Sequence, residues 1–362
     1  MTVSTPAPAR ARGGFHRLTV ASVERLCADA VAVTFDVPPE LAGVYAFRAG
    51  QSLTLRRTVG GREERRSYSI CAPEGAAPRV GVREVPDGLF SPWLVRDVRP
   101  GDEIEVGPPT GGFTPGDDTA GHHVFVAAGS GITPILSIAA TVLRDPAATV
   151  TLLYANRRAD TVMFADELAD LKDRYLDRLE LFHVLSREPL ETELFTGRLD
   201  AAKFTALFAL LPPARDVAHW WLCGPYAMVE SLRSVLDRAG VPAERAHREL
   251  FFVDDVPPAP VRHEDAPVDG ATSEVTLLLD GRSTTAAVPR DTPLLDAMQR
   301  VRPDLPFACK GGVCGTCRAR VTDGKVHMRR NFALEESEVD AGFVLTCQST
   351  PLSERVGLDY DA

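Results

Sequence analysis

Three cysteines, Cys309, Cys314 and Cys317, fall within nine positions of a 362-residue chain that holds only seven, and a fourth follows at Cys347. Thiols this close together are tied by a disulfide, gathered by a metal ion, shared by an iron–sulfur cluster, or neighbours by coincidence. The opening "MTVSTPAPARARGG" carries positive charge and no apolar core, so a secretory signal is not expected and residues 1–14 read as a disordered tail. The expected compartment is then the reducing cytoplasm, where disulfide frameworks are rare.

The spacing decides among the remaining readings. Cys309-x4-Cys314-x2-Cys317 with a distant Cys347 is the pattern by which four thiolates hold a 2Fe–2S cluster. Such a cluster is negatively charged, so the loop around it must aim backbone N–H groups inward. Gly311, Gly312 and Gly315 permit the positive φ and close approach that this needs. Structural zinc favours two compact Cys-x2–4-Cys knuckles instead. The other cysteines, Cys27, Cys71 and Cys223, are scattered and read first as small buried hydrophobes.

Ahead of this loop the chain changes rhythm twice. Over residues 15–118 short alternating segments such as "AVAVTFDV", "QSLTLRRTV" and "RRSYSI" are separated by Gly, Pro and Asp, which predicts an antiparallel β-barrel. Over 119–252 the run "HHVFVAAG" is almost continuously apolar, as in a strand buried on both faces. Helical and strand-like segments then alternate up to "YAMVESLRSVLDRAG", which predicts an α/β doubly wound parallel sheet. Residues 253–273, rich in Pro, Asp and Ala, read as a linker. From 274 to 362, strands "EVTLLLDG" and "STTAAV" and helix-like "PLLDAMQRV" precede the cysteine loop. The formal net charge of −10 argues against nucleic acid, and no apolar stretch reaches the length of a membrane span.

An electron carrier needs a source of electrons, and two stretches have the chemistry for one. Arg66, Tyr68 and Ser69 alternate along the strand in "RRSYSI". They could offer a cation to a flavin pyrophosphate, a flat surface to its ring and a donor near its N5, although a strand tyrosine is more often only packing. In "DGLFSPWL", Gly88 and Ser91 precede a helix start marked by Pro92, which makes an anion site. Gly129 and Gly131 in "AAGSGITP" form a turn between strand and helix, where backbone can approach a pyrophosphate, with Thr133 just beyond. The turn is not G-x-G-x-x-G. "LCGPYAM" puts Cys223, Gly224 and Pro225 at the end of a later strand of that sheet. Arg157 and Arg158, with Ser186 and Arg187, stand at two further strand ends, where cations and hydroxyls suit the 2′-phosphate of NADPH better than the bare ribose of NADH. Solvated surface arginines are the plainer alternative.

Taken in order, "RRSYS", "GSGITP" and "CGPYAM" resemble the ferredoxin–NADP reductase family, and "CKGGVCGTC" with "TCQS" looks like a plant-type ferredoxin fused behind it. Among the fused members, "TVMFADELADLKDRY", "LFTGRLDAAK" and "ALEESEVDAGFVLTCQSTP" are similar to the reductase subunits of bacterial ring-1,2-phenylacetyl-CoA epoxidases. The resemblance implies FAD on the barrel, held by Arg66, Tyr68 and Ser69 with Gly88 and Ser91 at its phosphates. It implies NADPH on the parallel sheet, with Thr133 and Cys223 near the nicotinamide and Ser186 and Arg187 at the 2′-phosphate. Glu249 and Phe251 would approach the flavin ring, and Ser69, Cys223 and Glu249 would shape hydride transfer. A β-grasp ferredoxin domain of α+β class would carry the cluster and pass electrons to the di-iron oxygenase component of a multicomponent monooxygenase. The linker would let that domain move between flavin and partner. The reductase of 3-ketosteroid 9α-hydroxylase is the alternative, with phthalate-type dioxygenase reductases behind it. A zinc-binding adaptor or redox sensor is the non-enzymatic one. "MRRNFALE" is more basic than the resemblance leads one to expect after the cluster loop.

Overall fold

A computed structural model of the chain describes residues 14–59, 62–86, 88–252, 272–307, 309–334 and 336–362. The expected tail (bar Gly14) and the expected linker up to residue 271 lie outside the described residues.

The first sheet is wholly antiparallel, with strands β1 (His16–Cys27), β2 (Ala30–Asp36), β3 (Ser52–Val59), β4 (Arg62–Ser69), β5 (Arg79–Arg83) and β6 (Glu103–Val106) in the order β4-β3-β6-β1-β2-β5. A bridge between Ile70 and Val80 ties the two outer strands together and closes the sheet into a barrel. Alternation does the rest: Leu18, Val20, Val31, Val33, Phe35, Leu53 and Leu55 point inward and are at most 1% exposed, as a period of two demands.

The second sheet is parallel throughout, with β7 (Gly121–Ala128), β8 (Ala148–Asn156), β9 (Leu179–Leu185), β10 (Val217–Pro225) and β11 (Ala246–Phe252) in the order β11-β10-β7-β8-β9. Helices α1 (Ser91–Arg96), beside the barrel, and α2 (Ile132–Val142), α3 (Ala165–Arg174), α4 (Ala201–Phe208) and α5 (Tyr226–Arg238) complete these two regions. One face of the parallel sheet packs on α2 and α3, the other on α4 and α5, which is the doubly wound arrangement. The core beneath α2 also takes in Ala30, Ala32, Ala49, Cys71 and Phe113 from the barrel region. Barrel and sheet therefore share apolar packing, and the carboxyl ends of the strands open beside the barrel wall.

The third region is a mixed sheet of β12 (Thr272–Leu279), β13 (Arg282–Pro289), β14 (Arg318–Asp323), β16 (Phe343–Leu345) and β18 (Arg355–Asp359) in the order β13-β12-β18-β14-β16. Strands β12 and β18 run parallel and the other pairs antiparallel. A two-stranded ribbon of β15 (Val326–Met328) and β17 (Ser349–Pro351) stands beside it. Helix α6 (Leu294–Met298) contributes Leu294, Leu295 and Met298 to its core. Where "PLLDAMQRV" suggested a longer helix, only five residues are α-helical. Among the described residues no helix is long and apolar enough to cross a membrane.

Candidate functional site

One cleft of about 3210 Å³ runs between the three regions, and its walls include Tyr68, Ser69, Gly129, Gly224, Phe251 and Cys314. That is several times the ~300–1,000 Å³ of a single-ligand pocket, room for more than one nucleotide-sized ligand.

Its barrel wall is the end of β4. Register places Tyr68 opposite Leu53 and Ser69 opposite Ser52. The Tyr68 ring leans on Phe90, centroids 6.2 Å apart, and burial pushes its hydroxyl far above the ordinary phenol value. Arg66 lines the cleft and donates to Glu64 at 3.2 Å. Ser91 Oγ accepts from the Val85 N–H at 2.9 Å, and Gly88 N–H donates to Val85 O at 3.0 Å. A Cβ on Gly88 would stand 3.0 Å from that same oxygen. Ser91 and Gly88 thus draw the loop into a tight turn before α1.

The opposite wall is the carboxyl edge of the parallel sheet. Gly129 follows β7 with φ of +54°, and Tyr154 donates to its carbonyl at 2.9 Å. A Cβ on Gly131 would lie 2.4 Å from Cys223 O, so only glycine lets this turn touch the end of β10. Thr133 is fully buried and donates to Ser130 O at 3.0 Å. Gly224 and Pro225 line the cleft. Cys223 is wholly buried in the core beneath them, not on the cleft wall, and burial followed by the Glu249 carboxylate pushes its thiol well above its usual value.

Three residues that the sequence could only place separately meet here. Glu249 on β11 is the register partner of Cys223, and Ser69 Oγ of the barrel donates to Glu249 Oε2 at 3.0 Å. Burial pushes the Glu249 carboxyl up to about 7, with the Ser69 hydrogen bond pulling the other way. Strand β11 is not evident in the sequence, because "AHRELFF" mixes charge with apolar residues. An edge strand with one neighbour tolerates that mixture, and the regular strand–helix alternation after α5 is the signal that would have found it.

At the far end of the same edge, the N–H of Ser186 bonds to Asn156 O at 2.9 Å and that of Arg187 to Arg157 O at 2.8 Å. Ser186, Arg187 and Arg157 all line the cleft. Arg158 instead pairs with Asp160 at 3.3 Å on the exposed surface. Asn156, which the sequence does not single out, is buried beside the Tyr154 hydroxyl with neither carboxamide atom in a hydrogen bond of ordinary geometry. A buried amide in that state is one that a polar ligand would satisfy.

The cysteine loop closes the cleft on its third side. Among the described residues no three His, Cys, Asp or Glu side chains converge as a single-ion site requires. Cys309 and Cys314, and likewise Cys317 and Cys347, lie close enough to shift each other's proton affinity. The N–H groups of Gly311 and Val313 reach Cys309 Sγ at 3.3 and 3.5 Å; Gly312 and Gly315 adopt φ of +82° and +66° as expected, whereas Gly311 does not and Lys310 takes a positive φ of +51° instead. The hydrogen bond from Cys314, and then these N–H groups, hold the Cys309 thiol well below its ordinary value. The loop docks through Phe332, whose ring meets Tyr226 edge-on at 5.0 Å. Arg65, only 4% exposed, donates to Leu305 O at 3.2 Å with its guanidinium 4.8 Å from the Phe307 ring. Of the two adjacent arginines, the sequence motif points only to Arg66.

Comparison with known proteins agrees with this geometry region by region. Residues 17–114 match the oxidoreductase FAD-binding domain, 125–234 the oxidoreductase NAD-binding domain, and 277–352 the 2Fe-2S iron-sulfur cluster binding domain. The chain is 41% identical to one of the subunits of 1,2-phenylacetyl-CoA epoxidase from Escherichia coli, over 96% of this chain and 98% of that one. It is 35% identical to the ferredoxin reductase component of 3-ketosteroid-9-alpha-monooxygenase from Rhodococcus rhodochrous, over 95% and 96%. Among solved structures, phthalate dioxygenase reductase superposes with a TM-score of 0.60 at 26% identity, covering 96% of this chain and 98% of that one.

Proposed function

The chain belongs to the ferredoxin–NADP reductase family in its form fused to a C-terminal 2Fe–2S ferredoxin, and from that premise we propose that it supplies electrons to the oxygenase of a phenylacetyl-CoA epoxidase in the cytoplasm. It is an NAD(P)H-dependent oxidoreductase that works through FAD and a 2Fe–2S cluster. The observation that carries the proposal is the single cleft lined by the flavin, nucleotide and cluster candidates together, in a chain alike along nearly its whole length to the epoxidase component. We take 15–118, 119–252 and 274–362 as the three working modules.

FAD held here would supply the chemistry that links hydride transfer from a nicotinamide to one-electron delivery to a 2Fe–2S centre. The chain's own residues arrange that exchange. Arg66 offers charge to the pyrophosphate and Tyr68 a flat surface to the ring, while Gly88 and Ser91 fix the loop that receives the phosphates. Gly129, Gly131 and Gly224 let the nucleotide approach the strand ends, above a floor made by Thr133 and the buried Cys223. Pro225 starts α5 at the nicotinamide end, and Phe251 covers the ring. Glu249, which accepts from Ser69 at Oε2, has a carboxyl that burial keeps protonated up to about pH 7, at the point where the two rings must meet at reacting distance. Ser186, Arg187 and Arg157 receive the 2′-phosphate, which makes NADPH the nucleotide, and Arg158 plays no part in that grip. Cys309, Cys314, Cys317 and Cys347 hold the two irons.

The test is reconstitution with the oxygenase subunits of a phenylacetyl-CoA epoxidase, following nicotinamide oxidation and phenylacetyl-CoA loss together. Coupled loss with NADPH, with KM for NADPH rising about tenfold or more in Arg187→Glu and that for NADH unmoved, is the expected result. Reduction of an artificial acceptor without substrate loss would overturn the partner, and would favour the steroid hydroxylase reading that the 35% identity to its reductase component keeps in view.

A further inference from the structure

The residue after the fourth thiolate has a side chain whose orientation the surroundings leave no freedom to choose. Gln348 is 3% exposed. Arg329 Nη2, which can only donate, reaches Gln348 Oε1 at 3.3 Å. Lys310 O and Cys347 O, which can only accept, receive Gln348 Nε2 at 2.7 and 3.0 Å. Donor-only and acceptor-only neighbours on opposite sides fix which amide atom is which. In that orientation Nε2–H also faces Cys347 Sγ at 3.5 Å.

The scaffold around this amide is built to hold it. Arg329 follows β15 and Gln348 precedes β17, paired strands in which Met328 opposes Ser349. The Arg329 N–H donates to Gln348 O at 2.8 Å, so the guanidinium is anchored to the same residue that its side chain polarises. Across the loop, a Cβ on Gly312 would lie 3.0 Å from Gln348 Cγ. The cluster loop is folded around the glutamine stem.

We propose that Arg329 and Gln348 form a relay that raises the reduction potential of the cluster. The guanidinium pulls electron density towards Oε1 and leaves Nε2–H a stronger donor, in the way that linked hydrogen bonds reinforce one another. Its target is a ligand sulfur, and donors to ligand sulfur stabilise the more negative, reduced state. The step it tunes is the arrival of one electron from the nicotinamide by way of the flavin. Gln348 and Arg329 neither form nor break a bond in it and transfer no proton, so they are positioning residues. The unusually basic segment after the cluster loop thereby gains a role inside the chain. The inference rests on the cluster and not on the identity of the acceptor.

The experiment is a redox titration of the holoprotein with the cluster followed by electron paramagnetic resonance. It compares the parent with Gln348→Leu, Arg329→Gln, Arg329→Lys and the double change Q348L/R329Q, each at equal iron and sulfide content. In Gln348→Leu the cluster should be on the order of tenfold harder to reduce, about 59 mV for one electron. Arg329→Gln should shift in the same direction by less, and Arg329→Lys should stay near the parent. Because the arginine acts through the amide, R329Q should add nothing in the Q348L background. A parent-like potential in both Gln348→Leu and Arg329→Gln would overturn the relay, and so would an undiminished arginine effect in the double variant, which would mean direct action through space. Should Gln348→Leu fail to hold the cluster, the Arg329→Gln and Arg329→Lys pair still decides, since neither touches a ligand.

Discussion

Replacing Glu249 by glutamine should erase a pH dependence that burial imposes on the flavin edge of the cleft. The carboxyl stands at about 7 against an ordinary 4.5, burial raising it and the Ser69 hydrogen bond lowering it. At about 1.4 kcal/mol per pH unit that gap is worth about 3 kcal/mol at most. The side chain still meets the cleft, so about 2 kcal/mol is the better working figure once solvent screening is allowed for. The sign follows from proton counting. Between pH 4.5 and 7 the folded chain keeps the proton while the unfolded chain releases it, so the folded state binds more protons and unfolding becomes easier as pH rises. Below 4.5 both states are neutral and the contribution is fully present; above 7 both are charged and it is lost. A flavin packed over the carboxyl would remove more water and move the value the same way.

Glu249→Gln preserves shape and an acceptor for Ser69, but has nothing to ionise. Trp220 and Trp221 sit on β10, next to the strand that carries residue 249, and their fluorescence reports unfolding of that region. In urea unfolding at about pH 5, 6, 7 and 8, the variant should gain on the parent by about 2 kcal/mol from the lowest to the highest pH. Any constant cost of the amide cancels in that slope. A difference between parent and variant that is flat with pH would refute the assignment of the buried, proton-holding state to Glu249. The rate of flavin reduction by NADPH should likewise change near pH 7 in the parent and lose that inflection in the variant.

Gly131→Ala forces a Cβ to 2.4 Å from the Cys223 carbonyl. It should cost about 1–3 kcal/mol of stability and weaken nucleotide binding, both readable by thermal melting with and without NADP. Arg65→Ala removes the hydrogen bond to Leu305 O and the contact with Phe307, together worth about 2 kcal/mol. Rapid mixing should show flavin reduction by NADPH unchanged and cluster reduction slowed on the order of tenfold; equal rates in parent and variant would free Arg65 of any docking role.

What the sequence disclosed, and what it withheld, divides by the range of the interaction. The cluster-binding character of the last region was legible because such a loop must deliver three thiolates from one short stretch, so its chemistry is written as spacing. The buried strand "HHVFVAAG" was legible because a strand covered on both faces has no polar side to hide the signal. Cys223 shows the limit: its place at a strand end was readable, but its full burial depends on the core that α2 and Phe113 build around it. The arginine pair shows it too. Neighbours on a strand face opposite ways, yet nothing local says that Arg65 meets Phe307 while Arg66 stays by Glu64. Ser69 and Glu249 are 180 residues apart, and only the shared packing of barrel and sheet brings a hydroxyl from one to a carboxyl from the other. The contacts of Cys223, Arg65 and the Ser69–Glu249 pair each join two regions or two elements. A reductase built from separable modules puts its chemistry at the seams, so the parts of its function least visible in any one segment are the ones that the folded arrangement supplies.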